Sequence, residues 1–138
     1  MSSMRVSRHA PACNVIKDDN GIITKVFVAG GWKTDAGYMK STEIYDLSDD
    51  SWTDGPDFGS AIYESKMITA PSSSSYAAFI MTGLRDADGQ KDIDGISKDL
   101  TQWTKLGRIE AERALATILT IPPNMFDGCT KASIGKIS

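Results

Sequence analysis

The sequence is poor in the residues that most enzymes and metal proteins rely on. It has one histidine and two cysteines, and its 15 Lys and Arg are outnumbered by 18 Asp and Glu. A single imidazole, His9, excludes histidine-pair metal sites and most nucleophile–base dyads. Two cysteines, Cys13 and Cys129, are too few for a disulfide-stapled scaffold, and whether they pair is a matter of geometry. A net charge of −3 argues against nucleic acid, because a phosphate-binding surface needs a basic excess. No apolar run approaches the length of a membrane span, so no membrane partner is expected. The stretch Met1 to Ala10 carries Arg5 and Arg8 and has no apolar h-region, which makes a cytoplasmic location the default expectation. The absence of an Asn-x-Ser/Thr acceptor points the same way. What remains is an ordinary composition, 41% hydrophobic and 24% charged over 138 residues, enough for one folded domain.

Within that composition lies an internal repeat. Val26-Phe27-Val28-Ala29-Gly30-Gly31 aligns with Ala78-Phe79-Ile80-Met81-Thr82-Gly83 at an offset of 52. Ile44 to Thr53 aligns with Gly95 to Thr104 at an offset of 51 without a gap, which superposes Trp52 on Trp103. A third partial copy is suggested by Arg8-His9-Ala10 running on to Ile16 and Arg113-Ala114-Leu115 running on to Ile121. Self-similarity at this period is the mark of a repeat architecture.

Each unit reads as four short strands. In the first these are Arg8 to Ile16, Ile22 to Ala29, Glu43 to Leu47 and Ser51 to Asp54, rich in β-branched and aromatic residues. Asp19-Asn20-Gly21 predicts a tight primed hairpin turn with positive φ at both central residues. Trp32 to Thr42 reads as a long polar loop, and Gly55-Pro56 closes the unit. The second unit repeats the plan with Ile62 to Ala70, Tyr76 to Thr82, Asp94 to Lys98 and Gln102 to Leu106, its first hairpin turning on Pro71 to Ser75. Glu110 to Ala114 has helical character, but the β-rich run Thr117 to Ile121 followed by Pro122-Pro123 favours a loop and a strand.

The pair Gly30-Gly31, then Tyr45 and Trp52 with six residues between them, then Gly55-Pro56, resembles the kelch-repeat β-propeller family, whose blades are four-stranded units of about 50 residues. The second unit departs from that pattern: Thr82-Gly83 stands for the Gly pair, Ile96 for the Tyr, and Leu106-Gly107 for Gly-Pro. The resemblance implies an all-β fold, with kelch blades at 5–56 and 57–107, the first strand of a further blade at 108–121, and a C-terminal tail at 122–138. Propellers close rings of typically four to eight blades, so two blades imply an incomplete ring. Its open faces call for the remaining blades of a longer propeller, which is the favoured expectation, or for self-association. Gly30, Gly31, Tyr45, Trp52, Gly83 and Trp103 are read as structural: Gly lets strands turn and approach closely, and the aromatics fill the wedge between sheets.

No catalytic set, cofactor or firm metal site is expected. His9 and Cys13 are read as buried structural residues. Copper oxidases within the kelch superfamily hold their metal with Tyr and His beside a Tyr–Cys cross-link, which one histidine does not supply. Asp86, Asp88 and Asp92 alternate around Gly89 as in part of a Ca²⁺ loop, but Leu84 and Gly95 occupy the first and twelfth ligand positions, and a solvated turn is preferred. The expected function is that of a non-enzymatic module whose inter-strand loops bind a protein partner. Its candidate contacts are Trp32, Lys33 and Tyr38 from one loop and Arg85 and Asp86 from the next, projecting side by side. The alternative is a blade pair of a secreted or surface propeller that binds carbohydrate or Ca²⁺. For Trp32, packing on its own blade is weighed equally.

Overall fold

The computed structural model describes residues 2–85 and 91–109. All regular structure among them is β. Sheet one is built from β1 (Ala12–Lys17), β2 (Ile23–Ala29), β5 (Thr42–Asp46) and β6 (Ser51–Asp54), in that spatial order. Sheet two is built from β8 (Lys66–Thr69), β9 (Tyr76–Met81), β11 (Lys91–Ser97) and β12 (Trp103–Ile109), neighbours in the same sequence. Both are antiparallel meanders of four strands, the unit from which a kelch-type propeller blade is made. Two small ladders flank them: β3 (Trp32–Lys33) with β4 (Gly37–Tyr38), and β7 (Ile62–Tyr63) with β10 (Leu84–Arg85).

The repeat holds at the level of hydrogen-bond register. Val26 faces Tyr45, which faces Trp52; at the equivalent places Ala78 faces Ile96, which faces Trp103. Each tryptophan donates its indole N–H to the segment leading into its own sheet, Trp52 to the Ser2 carbonyl and Trp103 to the Pro56 carbonyl, both at 3.0 Å. Satisfying that one polar atom leaves the ring free to pack. Trp103 uses its ring against Phe58 and, edge-on, against Phe27 of sheet one, with centroids 4.8 and 5.6 Å apart.

Side chains alternate between the two faces of a strand, and the sheets meet through unlike faces. Sheet one contributes Ala12, Ile16, Phe27, Ala29 and Ile44 to the shared core; sheet two contributes Met67, Ala78, Ile80, Ile96 and Trp103. The first strands lie side by side. There Asn14 donates to the Met67 carbonyl at 3.0 Å, and Thr69 donates to the Val15 carbonyl at 2.8 Å.

Several strand limits differ from the sequence expectation. The first strand of each unit is broken rather than continuous, at Ala10 in one and Glu64 in the other, both left-handed with φ of 45° and 53°. The stretch before each break therefore leaves its sheet: His9 bridges Trp32, and Ile62–Tyr63 pairs with Leu84–Arg85. The Asp19-Asn20-Gly21 turn has positive φ only at Gly21. It closes with Gly21 N–H on the Asp18 carbonyl, while the Asp18 carboxylate accepts from the Asn20 and Ile22 amides. An Asx-type cap has replaced the primed turn. Trp32 to Thr42 contains the β3–β4 hairpin, turned by Ala36 N–H on the Lys33 carbonyl and by Gly37 at φ 73°. Strands β11 and β12 run longer than expected, because Gly107 has no proline after it and the ladder continues to Lys91 and Ile109.

His9 and Cys13 are exposed, not buried. Cys13 points to the outer face of sheet one, the opposite side from the Phe27 core, because a one-residue step reverses the side-chain direction. Cys129, the helical stretch at Glu110, the expected strand to residue 121 and the tail lie outside the described residues.

At the turn between β5 and β6, Tyr45 donates its hydroxyl to the Asp50 carboxylate. That bond raises the phenol above its ordinary value and lowers the carboxyl below its own. Gly83 marks the tightest backbone approach in sheet two: a Cβ there would stand 2.5 Å from the carbonyl oxygens of Tyr63 and Glu64. Gly83→Ala is expected to lower the free energy of unfolding by about 1–3 kcal/mol through overpacking. Gly107→Ala, with nothing within 4 Å of the added carbon, leaves it nearly unchanged. Urea unfolding of the two variants checks the contrast.

Candidate functional site

Four aromatic rings line the edge of both sheets where β2 and β9 end. Trp32 stacks at a tilt on His9 with centroids 5.7 Å apart, and Tyr38 does the same with Tyr63 at 5.5 Å. Trp32 and Tyr38 are cross-strand partners in the β3–β4 hairpin, at the separation where side chains on one face interact. Backbone bridges carry this edge from one unit to the next: His9 to Trp32, Met39 to Ile62, Tyr63 to Leu84. The result is a strip of His9, Trp32, Tyr38 and Tyr63 running along one rim. Tyr38 is 46% exposed; His9 is exposed as well, and Trp32 and Tyr63 are half-buried.

The base of the hairpin is held by a buried ion pair. Arg8 and Glu43 meet at 2.6 Å with side-chain exposures of 0% and 1%. The same guanidinium donates to the carbonyls of Gly30 at 2.9 Å and Ser41 at 2.8 Å, the two residues between which the hairpin loop begins and ends. Gly30 N–H also bonds the Ser41 carbonyl, which closes the loop's neck. Glu43 in turn accepts from the Arg5 amide at 2.8 Å. A charge this buried is tolerable only when paired and hydrogen-bonded, as both of these are.

The Gly30-Gly31 pair serves the same neck. Both glycines have positive φ, 64° and 100°. A Cβ on Gly30 would stand 2.3 Å from Ile62 Cγ1, and one on Gly31 would stand 2.8 Å from the His9 carbonyl oxygen. The neck is thus clasped between the segment leading into sheet one, through Arg8 and His9, and the segment leading into sheet two, through Ile62. Ile62 accepts from Gly31 N–H at 2.8 Å and donates to the Met39 carbonyl at 3.0 Å.

Of the residues expected to make contact with a partner, Trp32, Lys33 and Tyr38 lie together on this hairpin, with Lys33 paired to Asp35 at 3.3 Å. Arg85 is on β10, its backbone paired with Ile62. Asp86 and Asp88 lie outside the described residues. Asp92, placed in a loop by the sequence, is instead in β11 and 1% exposed. Its carboxylate is engaged by Lys105 at 2.8 Å and Arg108 at 3.3 Å, so cations of the protein already occupy it. Among the described residues no group of three or more His, Cys, Asp or Glu is set to hold a metal ion. Nor do the described residues contain a helix long and apolar enough to cross a membrane.

Sequence reasoning missed Tyr63, Arg8 with Glu43, and the exposure of His9. Tyr63 stands to Leu84 as His9 stands to Trp32, and aligning the first strands at an offset of 54 rather than 52 would have shown it. The two-residue difference lies in the first hairpin. A further cleft, of 740 Å³, opens at the other end of the strands between the two hairpin tips, where Lys98 reaches Asp19 at 3.5 Å and the Ser72 carbonyl at 2.9 Å.

Residues 24–59, from β2 through Phe58, match the family model of the Kelch motif. The match spans β2, β5 and β6 of sheet one and the segment after them, and sheet two keeps the same strand order and register. Kelch repeats generally mediate protein–protein interaction. No curated protein matches the chain.

Glu43→Gln leaves the buried Arg8 charge without its counter-ion. The expected loss is about 3–5 kcal/mol of unfolding free energy. Amide exchange at Gly30 and Met39, which the neck protects, is expected to quicken more than exchange in sheet two; hydrogen exchange with residue resolution checks both.

Proposed function

We propose that the chain is a non-enzymatic protein-binding module, with blades at 5–56 and 57–107, whose contact surface is the aromatic rim. The observation that carries the reading is the pairing of Tyr38 with Tyr63 across two units, with Trp32 beside Tyr38 on the same hairpin. Aromatic side chains supply large contact area at little entropic cost, and Trp and Tyr are enriched among the residues that dominate binding energy. The hairpin that presents them is fixed at its neck by charge-assisted hydrogen bonds, so little ordering cost falls on association. Lys33 lies on the β3–β4 ladder and the Arg85 backbone on the β7–β10 ladder, and the two are proposed as the polar border such surfaces have. Asp86, the next residue in the sequence after Arg85, is proposed to extend that border.

A displayed peptide library selected on the purified full chain tests this. Peptides enriched on the unmodified protein are expected to bind Trp32→Ala and Tyr38→Ala variants about tenfold or more weakly, with the circular-dichroism spectrum retained. Peptides that bind both variants as tightly as the unmodified chain would place the contact surface elsewhere.

A further inference from the structure

The aromatic residues divide by what their polar atoms do. Trp52 and Trp103 donate the indole N–H to the Ser2 and Pro56 carbonyls, and Tyr45 donates its hydroxyl to Asp50. All three sit in the four-stranded sheets. Trp32, Tyr38 and Tyr63 sit in the small ladders of the rim, and they differ. Among the described residues the Trp32 indole N–H and the Tyr38 and Tyr63 hydroxyls have no hydrogen-bond partner. Trp32 and Tyr63 are half-buried, yet these polar atoms are not shut away from solvent. The rim thus presents three unengaged donors beside rings tilted at 45° to their neighbours. A partner that fits has apolar bodies to lie on the rings and acceptors to meet the donors.

We infer that the rim takes a proline-rich peptide in the polyproline II conformation. Its prolines lie on Trp32 and Tyr38, and its carbonyls accept from the Trp32 N–H and the Tyr38 and Tyr63 hydroxyls. The inference rests on the reading of the rim as the contact surface and adds the partner's chemistry. A polyproline II segment makes no hydrogen bonds within itself, so its carbonyls are free, and each proline lacks an N–H. It therefore brings acceptors to a row of donors and few donors of its own to leave unpaired. An extended β-type segment carries an N–H for every carbonyl. An oligosaccharide also lays apolar faces on rings, but each of its hydroxyls donates as well as accepts, and the hairpin's own carboxylate, Asp35, is already paired with Lys33. The polyproline II segment is ordered before it binds, and the hairpin is fixed at its neck, so little ordering cost falls on either side. Tyr63 belongs to the unit after Tyr38, which sets the peptide across the boundary between the two.

Two displayed peptide libraries selected on the full chain test the inference. One fixes prolines three residues apart, one turn of that helix; the other contains no proline. Binders are expected from the proline library and not from the other. Tyr63→Phe keeps the ring and removes only the hydroxyl, and Trp32→Phe removes the indole N–H. Each is expected to weaken those binders about 2- to 10-fold, the loss of one hydrogen bond, with the circular-dichroism spectrum retained. Binders drawn only from the proline-free library, and weakened by Trp32→Ala and Tyr38→Ala, keep the rim as a contact surface but overturn the proline-rich partner. So do proline-library binders that both Phe variants hold as tightly as the unmodified chain. Binding of chitohexaose that both Phe variants weaken, with nothing from the proline library, overturns it in favour of a glycan. Binders indifferent to Trp32→Ala and Tyr38→Ala, or none from either library, overturn the rim itself and this inference with it.

Discussion

The Arg8–Glu43 pair is the interaction on which the functional end of the molecule depends. It joins three things that are distant in sequence: the segment leading into sheet one, the third strand of that sheet, and the neck of the hairpin loop between the second and third strands. Desolvating two charges is costly, and their mutual attraction offsets that only with good geometry and satisfied neighbours. Here the neighbours are the Gly30 and Ser41 carbonyls and the Arg5 amide. The electrostatic requirement of the buried pair therefore fixes the loop. An apolar pair could fill the same space, but it would not hold two carbonyls at a set separation.

Sheet two meets the same geometric demand by different means. Ile62 stands at the position equivalent to Arg8 and is fully buried. It fills the space that Gly30 leaves open and ties its backbone to Gly31 and Met39. One lead-in segment contributes charge and the other contributes volume, and the neck of the first loop is held from both sides. This also explains why the glycine pair is complete in the first unit and half-kept in the second. Gly83 retains the close approach to the Tyr63 and Glu64 carbonyls that Gly31 makes to His9. Thr82, at the place of Gly30, is buried and uses its hydroxyl on the backbone of Asp92.

The strand order and the equivalence of the two tryptophans were legible because they rest on short-range signals: β-branched runs, glycines that end strands, and an aromatic at a fixed distance from a strand pair. Three features were not. The left-handed kinks at Ala10 and Glu64 occur at residues with no preference for that conformation, so nothing local announces them. The β3 and β4 strands are two residues each, too short for alternation to show. Glu43 sits on the polar-looking side of a strand whose outer face is covered by residues 2–8, and a charge reads as solvent-exposed until the segment that covers it is known. The rim was half-visible for the same reason. Trp32 and Tyr38 belong to one loop, while Tyr63 reaches them only because the chain leaves sheet two at Glu64.

A double-mutant cycle on Arg8→Met and Glu43→Leu, followed by urea unfolding and hydrogen exchange, is the most direct measurement of this account. It predicts strongly non-additive losses: each single change leaves a stranded buried charge, and the combined change recovers much of the stability. It also predicts that exchange at the loop neck is fast in both variants that lack Arg8, since neither holds the Gly30 and Ser41 carbonyls together. Additive losses, or a neck that stays protected once Arg8 is replaced, would contradict it.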